Sequence, residues 1–411
     1  MDSLTQMILG AAMGELAAGK KMGNRAMIWG AIAGTIPDLD VIVGNFMSPI
    51  DALANHRGLS HSILFAVVFS FFMAVFCKWL YQQKFSSGKA FRWLSYIIGI
   101  LFFALLTTFF VFFTYILAGM ILAVFLGVLL CYWLIKSGIW SYKNYVIHEV
   151  RTKEEISLSR WYLLFFLAIF THPLLDCCTV YGTQLFYPFS DVRVAWNIIA
   201  IFDPFYTYPF LLCLLIAAHL TRQDTWRTRI NNIGIIYSTS YMLACTLHKL
   251  HINSIVEKTI ELSDIHVKRY MTNPSLMSNF LWSTTIETDS FYYQGLYSDF
   301  DKERIFKLQE IPKNHELIAP YETDKTIEIL KWFSADYYAV LVRKDGLLQL
   351  NDMRYGTFNG GSANDEDNYI FKFVLEEEEG VIHFDPSKSG PPARSNPKEM
   401  MDQLISRTKG I

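Results

Sequence analysis

One long uncharged segment limits what this chain can fold into. Residues 93–135 contain no charged side chain. As a helix this segment would be roughly 60 Å long, twice the hydrocarbon core of a bilayer, which is about 30 Å thick. It therefore predicts two membrane spans that join near residues 113–115. The whole chain is 52% hydrophobic and only 18% charged, whereas soluble domains are about 25% charged.

Six further apolar segments each predict a membrane span, which gives about eight spans in all. They are residues 4–18, 27–43, 59–80, 161–179, 204–220 and 232–250. The loops on one side of these spans hold 15 Lys and Arg residues, whereas the loops on the other side hold only Arg57 and Arg193. Because basic loops stay in the cytoplasm, both termini are predicted to lie outside. The N-terminus lacks the basic region of a cleavable signal peptide.

The composition changes near residue 250. Residues 1–250 carry a net charge of +6 and residues 251–411 a net charge of −8. In the second part, apolar periodicity predicts helices at 253–270 and 326–333 and strands at 281–288, 291–297, 339–343, 347–353 and 369–375. Residues 387–397, rich in Pro, Ser and Gly, predict a flexible stretch. The sequence thus predicts an α-helical integral membrane domain at 1–250 and a small extracytoplasmic α+β domain at 251–411.

Two groups of carboxylates and imidazoles lie at the predicted outer ends of spans. Ionisable residues in such places are energetically unfavourable to keep, so they indicate a functional site. The predicted topology places all of them at one depth, on one face of the membrane. We therefore expect them to meet and to bind a divalent metal, zinc by preference, with manganese or iron as alternatives. The predicted ligands are Asp38, Asp40, His56, His61, His172 and Asp176.

The spacing of these residues suggests how they could cooperate. His172 and Asp176 are four residues apart, so on a helix they share one face and can bind one ion. His56 and His61 are five apart, and Gly58 between them indicates a loop that leads into a helix. The pair Asp38 and Asp40 can bridge two ions, or one carboxylate can bind the ion while the other orients a ligand. The alternatives are a polar network that fixes helix ends, or an ion path.

These motifs resemble the membrane-bound metal-dependent hydrolase family, which includes the LexA-binding, inner-membrane hydrolase-like proteins. The resemblance spans residues 1–220 and implies a hydrolase of the bacterial inner membrane. A more distant likeness to zinc-dependent phospholipase C implies phosphoester substrates. The matching motifs are Pro37-Asp38-Leu39-Asp40, His56-Arg57-Gly58-Leu59-Ser60-His61-Ser62, and His172 with Asp176.

The chain departs from the family pattern at its N-terminus. The family often has a Thr-His pair there, whereas this chain has Thr5-Gln6. A neutral amide is a poor zinc ligand, so either the site has one ligand fewer or Asp203 or Glu15 substitutes for Gln6. We favour Asp203, because Glu15 lies nearer the predicted cytoplasmic end.

The residues also suggest catalytic roles. Asp38 or Asp40 could act as general base. Arg57 is suited to bind a phosphate oxygen, and Arg193 could assist it or anchor lipid at the interface.

The leading hypothesis is an integral-membrane metal-dependent hydrolase with an outward-facing site that cleaves a phosphoester or lipid-linked substrate. The alternative is a non-enzymatic membrane protein, either a metal-binding sensor or an assembly factor. A transporter is a third possibility, but its ionisable groups would line a path at the midplane rather than gather at one surface. Membrane lipids are the expected partners and no nucleic-acid partner is predicted. What residues 251–411 bind is left open.

Overall fold

A computed structural model describes residues 1–83, 89–118, 120–143, 156–275, 279–378, 380–389 and 397–410. These residues form twelve α-helices and eight β-strands. The helices are α1 (Ser3–Met22), α2 (Asn24–Thr35), α3 (Asp40–Gly44), α4 (Pro49–Asn55), α5 (Ile63–Gln82), α6 (Lys89–Ala118), α7 (Met120–Ser141), α8 (Leu158–Cys177), α9 (Pro204–His219), α10 (Thr225–Ser263), α11 (Lys325–Phe333) and α12 (Pro397–Thr408). The strands are β1 (Arg269–Pro274), β2 (Leu281–Glu287), β3 (Phe291–Ser298), β4 (Lys307–Pro312), β5 (Tyr338–Val342), β6 (Leu348–Asp352), β7 (Lys372–Glu378) and β8 (Val381–Asp385).

The first part of the chain is helical and apolar. Every segment predicted to span the membrane lies on a helix or, for residues 27–43, on the bent pair formed by α2 and α3. Within the described ranges, three helices are long and apolar enough to cross a membrane: α5, α8 and residues Arg92–Phe112 of α6. The bent pair makes a fourth candidate if it counts as one span. The prediction of about eight spans therefore stays a prediction, while the helical membrane character is clear.

Helices α1 and α2 pack against each other backbone to backbone. A Cβ atom built on Gly10 would lie 2.4 Å from the carbonyl oxygen of Gly30, and one built on Gly14 would lie 2.2 Å from that of Ala26. A Cβ on Gly30 would in turn lie 2.2 Å from the Gly10 carbonyl oxygen. Small residues four apart on both helices permit this approach, which is a common way for membrane helices to associate. The spacing Gly10-x3-Gly14 and Gly30-x3-Gly34 is visible in the sequence, but it did not enter our sequence-based prediction.

Replacing Gly30 with valine is expected to force α1 and α2 apart. The new side chain would meet backbone atoms, which cannot rotate away, and such overpacking destabilises a fold by about 1–3 kcal/mol or more. Thermal unfolding of the purified protein in detergent measures the effect as a lower Tm. Gly99→Val on α6 is the matched control, because the nearest neighbour of a Cβ there is the Ile28 Cδ1 atom at 3.5 Å. Equal Tm values for the two variants would contradict the close approach.

Helix α8 lies at the centre of the helical region and packs against α1, α2 and α5. Its buried side chains include Leu164, Phe165, His172 and Asp176. Pro173 lies inside the helix and provides no N–H group for the carbonyl oxygen of Ile169, four residues earlier. The helix therefore carries two ionisable side chains into the interior near its C-terminal end.

Helix α10 joins the helical region to the C-terminal sheets without a break at residue 250. It contains 39 residues, which corresponds to a length of roughly 58 Å and exceeds the thickness of a bilayer. Its side chains Ile252, Ile255 and Val256 form a core with Trp282 and Ile286 of the first sheet. The helix predicted at 253–270 is correct only to residue 263, since residues 269–274 form strand β1.

The C-terminal part contains two antiparallel four-stranded sheets with the orders β1-β2-β3-β4 and β5-β6-β7-β8. All five predicted strands and the predicted helix α11 are present, with ends that differ by up to three residues. The three strands that the sequence did not predict, β1, β4 and β8, lie at sheet edges. An edge strand pairs on one side only, so its apolar alternation is weak. The stretch predicted to be flexible, residues 387–397, lies largely outside the described residues.

The second sheet packs against the helical region. Helix α11 and strands β5 to β8 form a buried core, against which Ile50 and Leu53 of α4 and the loop residue Tyr181 pack. The Lys325 ammonium lies 2.6 Å from a carboxylate oxygen of Asp51 at the edge of this contact. The C-terminal region thus contacts the segment that leads from α4 into α5.

Candidate metal centre

Four side chains from three parts of the helical region converge on one point. Each offers one atom that could bind a metal ion, and these atoms lie within 4.8 Å of one another. The four residues are Asp38, His61, His172 and Asp176.

The separations among these four atoms are those of neighbouring ligands around an ion. His61 Nε2 lies 3.1 Å from His172 Nε2 and 3.3 Å from Asp176 Oδ2. His172 Nε2 lies 3.3 Å from both Asp176 Oδ2 and Asp38 Oδ1, and Asp38 Oδ1 lies 3.6 Å from His61 Nε2. Zinc binds nitrogen and oxygen at about 2.0–2.2 Å, which places tetrahedral ligands about 3.3–3.6 Å apart. The group could therefore hold a metal ion.

Local structure explains why these side chains meet. Asp38 lies in a 3-10 turn that begins at Pro37, where the chain bends by 44° between α2 and the following segment. His61 ends a second 3-10 turn, directly before α5, whose first turn is capped by the Ser62 hydroxyl. His172 and Asp176 lie one turn apart on α8. The site is thus built from a bend, a helix start and one helix face.

The hydrogen bonds of both imidazoles leave their Nε2 atoms free to bind a cation. His172 Nδ1 lies 2.6 Å from the Gly34 carbonyl oxygen, to which it must donate because a carbonyl only accepts. The His61 Nδ1 atom lies 3.0 Å from the Ser60 hydroxyl and 3.5 Å from Asp40 Oδ2, which favours a proton on this nitrogen too. Two nitrogen lone pairs then face two carboxylate oxygens, an arrangement that a cation stabilises.

Asp176 supports this interpretation through its two oxygens. Oδ2, which faces the histidines, is buried and accepts no hydrogen bond from the described residues. Oδ1 accepts a 3.0 Å hydrogen bond from Gln6 Nε2 and contacts the amino group of Met1. One oxygen is therefore fixed by the protein, while the other lacks the partner that a buried carboxylate oxygen needs.

Gln6 lies beside the group and takes part in positioning it. Besides Asp176, its Nε2 donates to the carbonyl oxygen of His172 at 3.1 Å. The two residues predicted to replace Gln6 as a metal ligand lie elsewhere. Asp203 caps α9 and accepts a hydrogen bond from the Tyr241 hydroxyl, and Glu15 pairs with Arg227.

Asp40 and His56 lie next to the four-residue group rather than in it. Asp40 Oδ2 accepts from the Arg57 amide at 2.8 Å, and its Oδ1 lies 3.2 Å from His56 Nδ1. Asp40 therefore links His56, Arg57 and His61. The structure thus places one aspartate and one histidine of the predicted ligands, Asp38 and His61, at the common point. It places Asp40 and His56 beside that point.

Arg57 reaches the group from the loop before α5. Its backbone adopts a φ of 58°, a left-handed conformation that is rare for residues other than glycine and typical of functional loops. The guanidinium Nε lies 3.5 Å from Asp176 Oδ2, and Nη1 donates to the Thr179 hydroxyl at 3.3 Å. The loop thus holds a buried positive charge beside the four candidate ligands.

Arg193 contacts the loops around the four-residue group rather than the candidate ligands themselves. Its guanidinium donates to three carbonyl groups, those of His56 (3.2 Å), Tyr181 (3.4 Å) and Gly182 (3.3 Å). Burial lowers the pKa of Arg193 to about 10. This side chain therefore ties the His56 loop to the loop that follows α8.

Aromatic side chains connect these loops to the C-terminal region. The Tyr181 ring lies 4.7 Å from the Arg57 guanidinium and 5.3 Å from the His56 ring. Phe333 of α11 contacts the same tyrosine with ring centroids 5.2 Å apart, and the Arg193 guanidinium lies 5.1 Å from the Phe333 ring. The sequence did not identify Tyr181 or Phe333, because no spacing rule links an aromatic residue in a loop to one about 150 positions away.

The chain matches the sequence model of the family described as YdjM inner membrane protein over residues 1–117 and 112–252. It belongs to this family. The matched region covers the four residues of the candidate metal centre and ends within α10, so the two sheets lie beyond it. Family membership supports a location in the inner membrane. No curated protein and no solved structure matches the chain.

Proposed function

We propose that this protein is an integral-membrane metal-dependent hydrolase that cleaves a phosphoester or lipid-linked substrate. The observation that carries the proposal is the convergence of two imidazole Nε2 atoms and two carboxylate oxygens. They lie within 4.8 Å of one another, and five of their six pairs are 3.1–3.6 Å apart. Two histidines with two carboxylates suit zinc, with manganese or iron as alternatives. The metal ligands in this proposal are Asp38, His61, His172 and Asp176.

The residues around the group have distinct proposed roles. A divalent metal bound there supplies an acidified water and polarises the scissile bond. Asp40 is the best-placed general base, since it lies outside the ligand group and can share a proton with the partly exposed His56. Arg57 is suited to bind a substrate phosphate oxygen, because a buried guanidinium binds oxyanions through paired hydrogen bonds. Gln6 and Arg193 hold the ligands and the His56 loop in place.

We further propose that the site faces outward, as does the C-terminal region that packs beside it. Gln6 of α1 lies at the site, whereas basic residues gather at the other end of the same helix. There Arg160 donates to the Ala17 carbonyl oxygen at 3.4 Å and Arg222 to that of Lys21 at 2.9 Å. Basic side chains prefer the cytoplasmic face. Reporter fusions at residues 223 and 300 are expected to give opposite signals, and equal signals would contradict this orientation.

Metal analysis paired with His172→Ala tests the proposed function. The purified wild-type protein is expected to contain a divalent metal and to hydrolyse at least one substrate in a panel of phosphoesters and phospholipids. His172→Ala removes one of the two imidazoles and is expected to lose both properties, since metal affinity depends on each ligand. Wild-type protein without metal, or an alanine variant that keeps metal and activity, would contradict the proposal.

A second function is favoured by the burial of the site. His61, His172 and Asp176 are fully buried, and four protein ligands can complete a closed structural zinc site. A metal-binding sensor or assembly factor without catalysis would have such a site. Protein that binds metal fully yet cleaves nothing in the panel would support this second function.

A further inference from the structure

Helix α3, which starts two residues after Asp38, has an apolar surface that the described chain leaves uncovered. Val41, Ile42 and Val43 are 56%, 57% and 55% exposed, and no residue of α3 is buried. Leu39, which precedes the helix, is 50% exposed, and Phe46 beyond its end is 87% exposed. Water would make such a continuous apolar surface unfavourable, so it requires an apolar neighbour.

The position of α3 identifies the bilayer as that neighbour. Helix α2 has only 12 residues and is roughly 18 Å long, so it ends inside a hydrocarbon layer of about 30 Å. The chain then bends by 44° and continues directly into the 3-10 turn and α3. Together the two pieces pass the length and hydropathy test for a broken span or a re-entrant loop. The apolar surface of α3 therefore continues a membrane segment.

The candidate metal centre opens toward this same surface. Three of its four residues are fully buried, and only Asp38 is partly exposed, with 21% of its side chain accessible. Asp38 is bonded to Leu39 and lies three residues before Val41. Asp38 Oδ2 also accepts a 3.1 Å hydrogen bond from the exposed Ser3 hydroxyl. A molecule that approaches Asp38 from the α3 side meets these apolar side chains.

The opposite side of the centre is covered by protein. Arg57 is buried, and the Tyr181 ring lies over its guanidinium. Phe333 of the C-terminal region packs in turn on Tyr181. The backbone N–H group of Gln184 donates a hydrogen bond to the Arg57 carbonyl oxygen at 3.0 Å. The C-terminal region thus limits access from water at the Arg57 side, whereas α3, on the other side, has no buried residue.

We infer that the centre opens sideways into the bilayer and takes an amphipathic lipid with an anionic head group. The acyl chains of this lipid lie along Leu39, Val41 and Ile42, while the head group reaches the proposed metal ion at Asp38, the one partly exposed residue of the centre. The inference rests on the proposed function for what happens to the lipid, but the lipid-facing opening can be tested without metal or catalysis. It excludes a small water-soluble phosphoester as the main substrate.

The first experiment asks what touches α3. The full chain carries the photoreactive residue p-benzoylphenylalanine in place of Leu39 and is placed in nanodiscs of phosphatidylethanolamine and phosphatidylglycerol. After illumination, mass spectrometry measures the fraction of protein that has formed a lipid adduct. The control position is Val381 on strand β8, which is 48% exposed and thus comparable to Leu39. The Leu39 protein is expected to form lipid adducts about tenfold more often than the Val381 protein, since apolar residues of a membrane segment contact acyl chains. Equal yields would overturn the inference.

The second experiment asks whether a chelator in the bilayer can reach the bound metal ion. In the same nanodiscs, 1,10-phenanthroline, which enters bilayers, is expected to strip bound zinc about tenfold faster than EDTA, which stays in water. Ile42→Asp, or Ile42→Ser if the aspartate variant does not fold, is expected to reduce this ratio, and Val381→Asp to leave it unchanged. Removal by EDTA at an equal rate would overturn the inference. A protein with lipid adducts and lateral metal removal but no phospholipid cleavage would instead contradict only the proposed hydrolase.

Discussion

His61→Ala is expected to abolish metal binding and hydrolysis. Asp40→Asn is expected to weaken metal binding by less and, because Asp40 is also the proposed general base, to lower the rate of hydrolysis by at least about 100-fold. His61 supplies one of the four converging atoms, and its nearest neighbour in the group lies 3.1 Å away. Asp40 acts on the ion only through the His61 ring, whose Nδ1 lies 3.5 Å from its carboxylate. Loss of such an outer carboxylate reduces metal affinity or activity by about 10- to 100-fold. Titration with zinc and initial rates on a cleaved substrate measure the two effects.

The same pair of variants separates an enzyme from a metal-stabilised scaffold. In a catalytic site both variants stay inserted and folded, because packed helices do not depend on one ion. In a structural site, loss of a ligand removes folding free energy, so the Tm falls together with the metal content. Asp40→Asn with wild-type affinity, or His61→Ala with bound metal, would contradict the arrangement that we describe.

Breaking the buried pair of Glu15 and Arg227 is expected to produce the largest loss of stability outside the site. The Arg227 guanidinium donates to both carboxylate oxygens, at 2.7 and 2.5 Å, and both side chains are buried. It also donates to Asn24 of α2 and to the carbonyl oxygen of Leu220 at the end of α9, and so joins α10 to α1, α2 and α9. Glu15→Gln leaves a buried cation without its counter-charge, which costs about 3–5 kcal/mol.

Two controls isolate this effect. Asp289→Asn removes the partner of Lys268 in an exposed pair on the C-terminal sheet and is expected to change the Tm little, because solvent screens exposed charges. The double variant Glu15→Leu with Arg227→Met replaces the buried pair by apolar side chains and is expected to recover much of the lost stability. A single Glu15→Gln variant with the wild-type Tm would show that the pair does not hold these four helices together.

The sequence was most informative where a single physical rule governs a residue. Long apolar runs located the helices of residues 1–250, and the four-residue spacing of His172 and Asp176 placed them on one face of α8. Asp38 and His61 were identified because ionisable side chains are rare at the ends of apolar segments. In each case the local pattern alone carries the information.

Tertiary contacts decided the rest of the site. Whether Asp38 or Asp40 faces His172 depends on the bend after Pro37 and on the Arg57 amide, which holds Asp40 by a 2.8 Å hydrogen bond. Gln6 is a neighbour of Asp176 because α1 packs against α8. The aromatic contacts of Tyr181 with the C-terminal sheet connect distant parts of the sequence, which no local pattern reveals.

The residues of the candidate metal centre are synthesised at different times. His61 and His172 are 111 residues apart, and a ribosome needs about 5–20 s to add that many residues. During this interval the hairpin of α1 and α2, whose contacts are local, can already form in the membrane. The pocket for the ion is incomplete until α8 inserts and brings His172 and Asp176 against that hairpin. The proposed metal ion can therefore bind to all four ligands only late in the biogenesis of this protein, when Asp38 and His61 are already in the membrane.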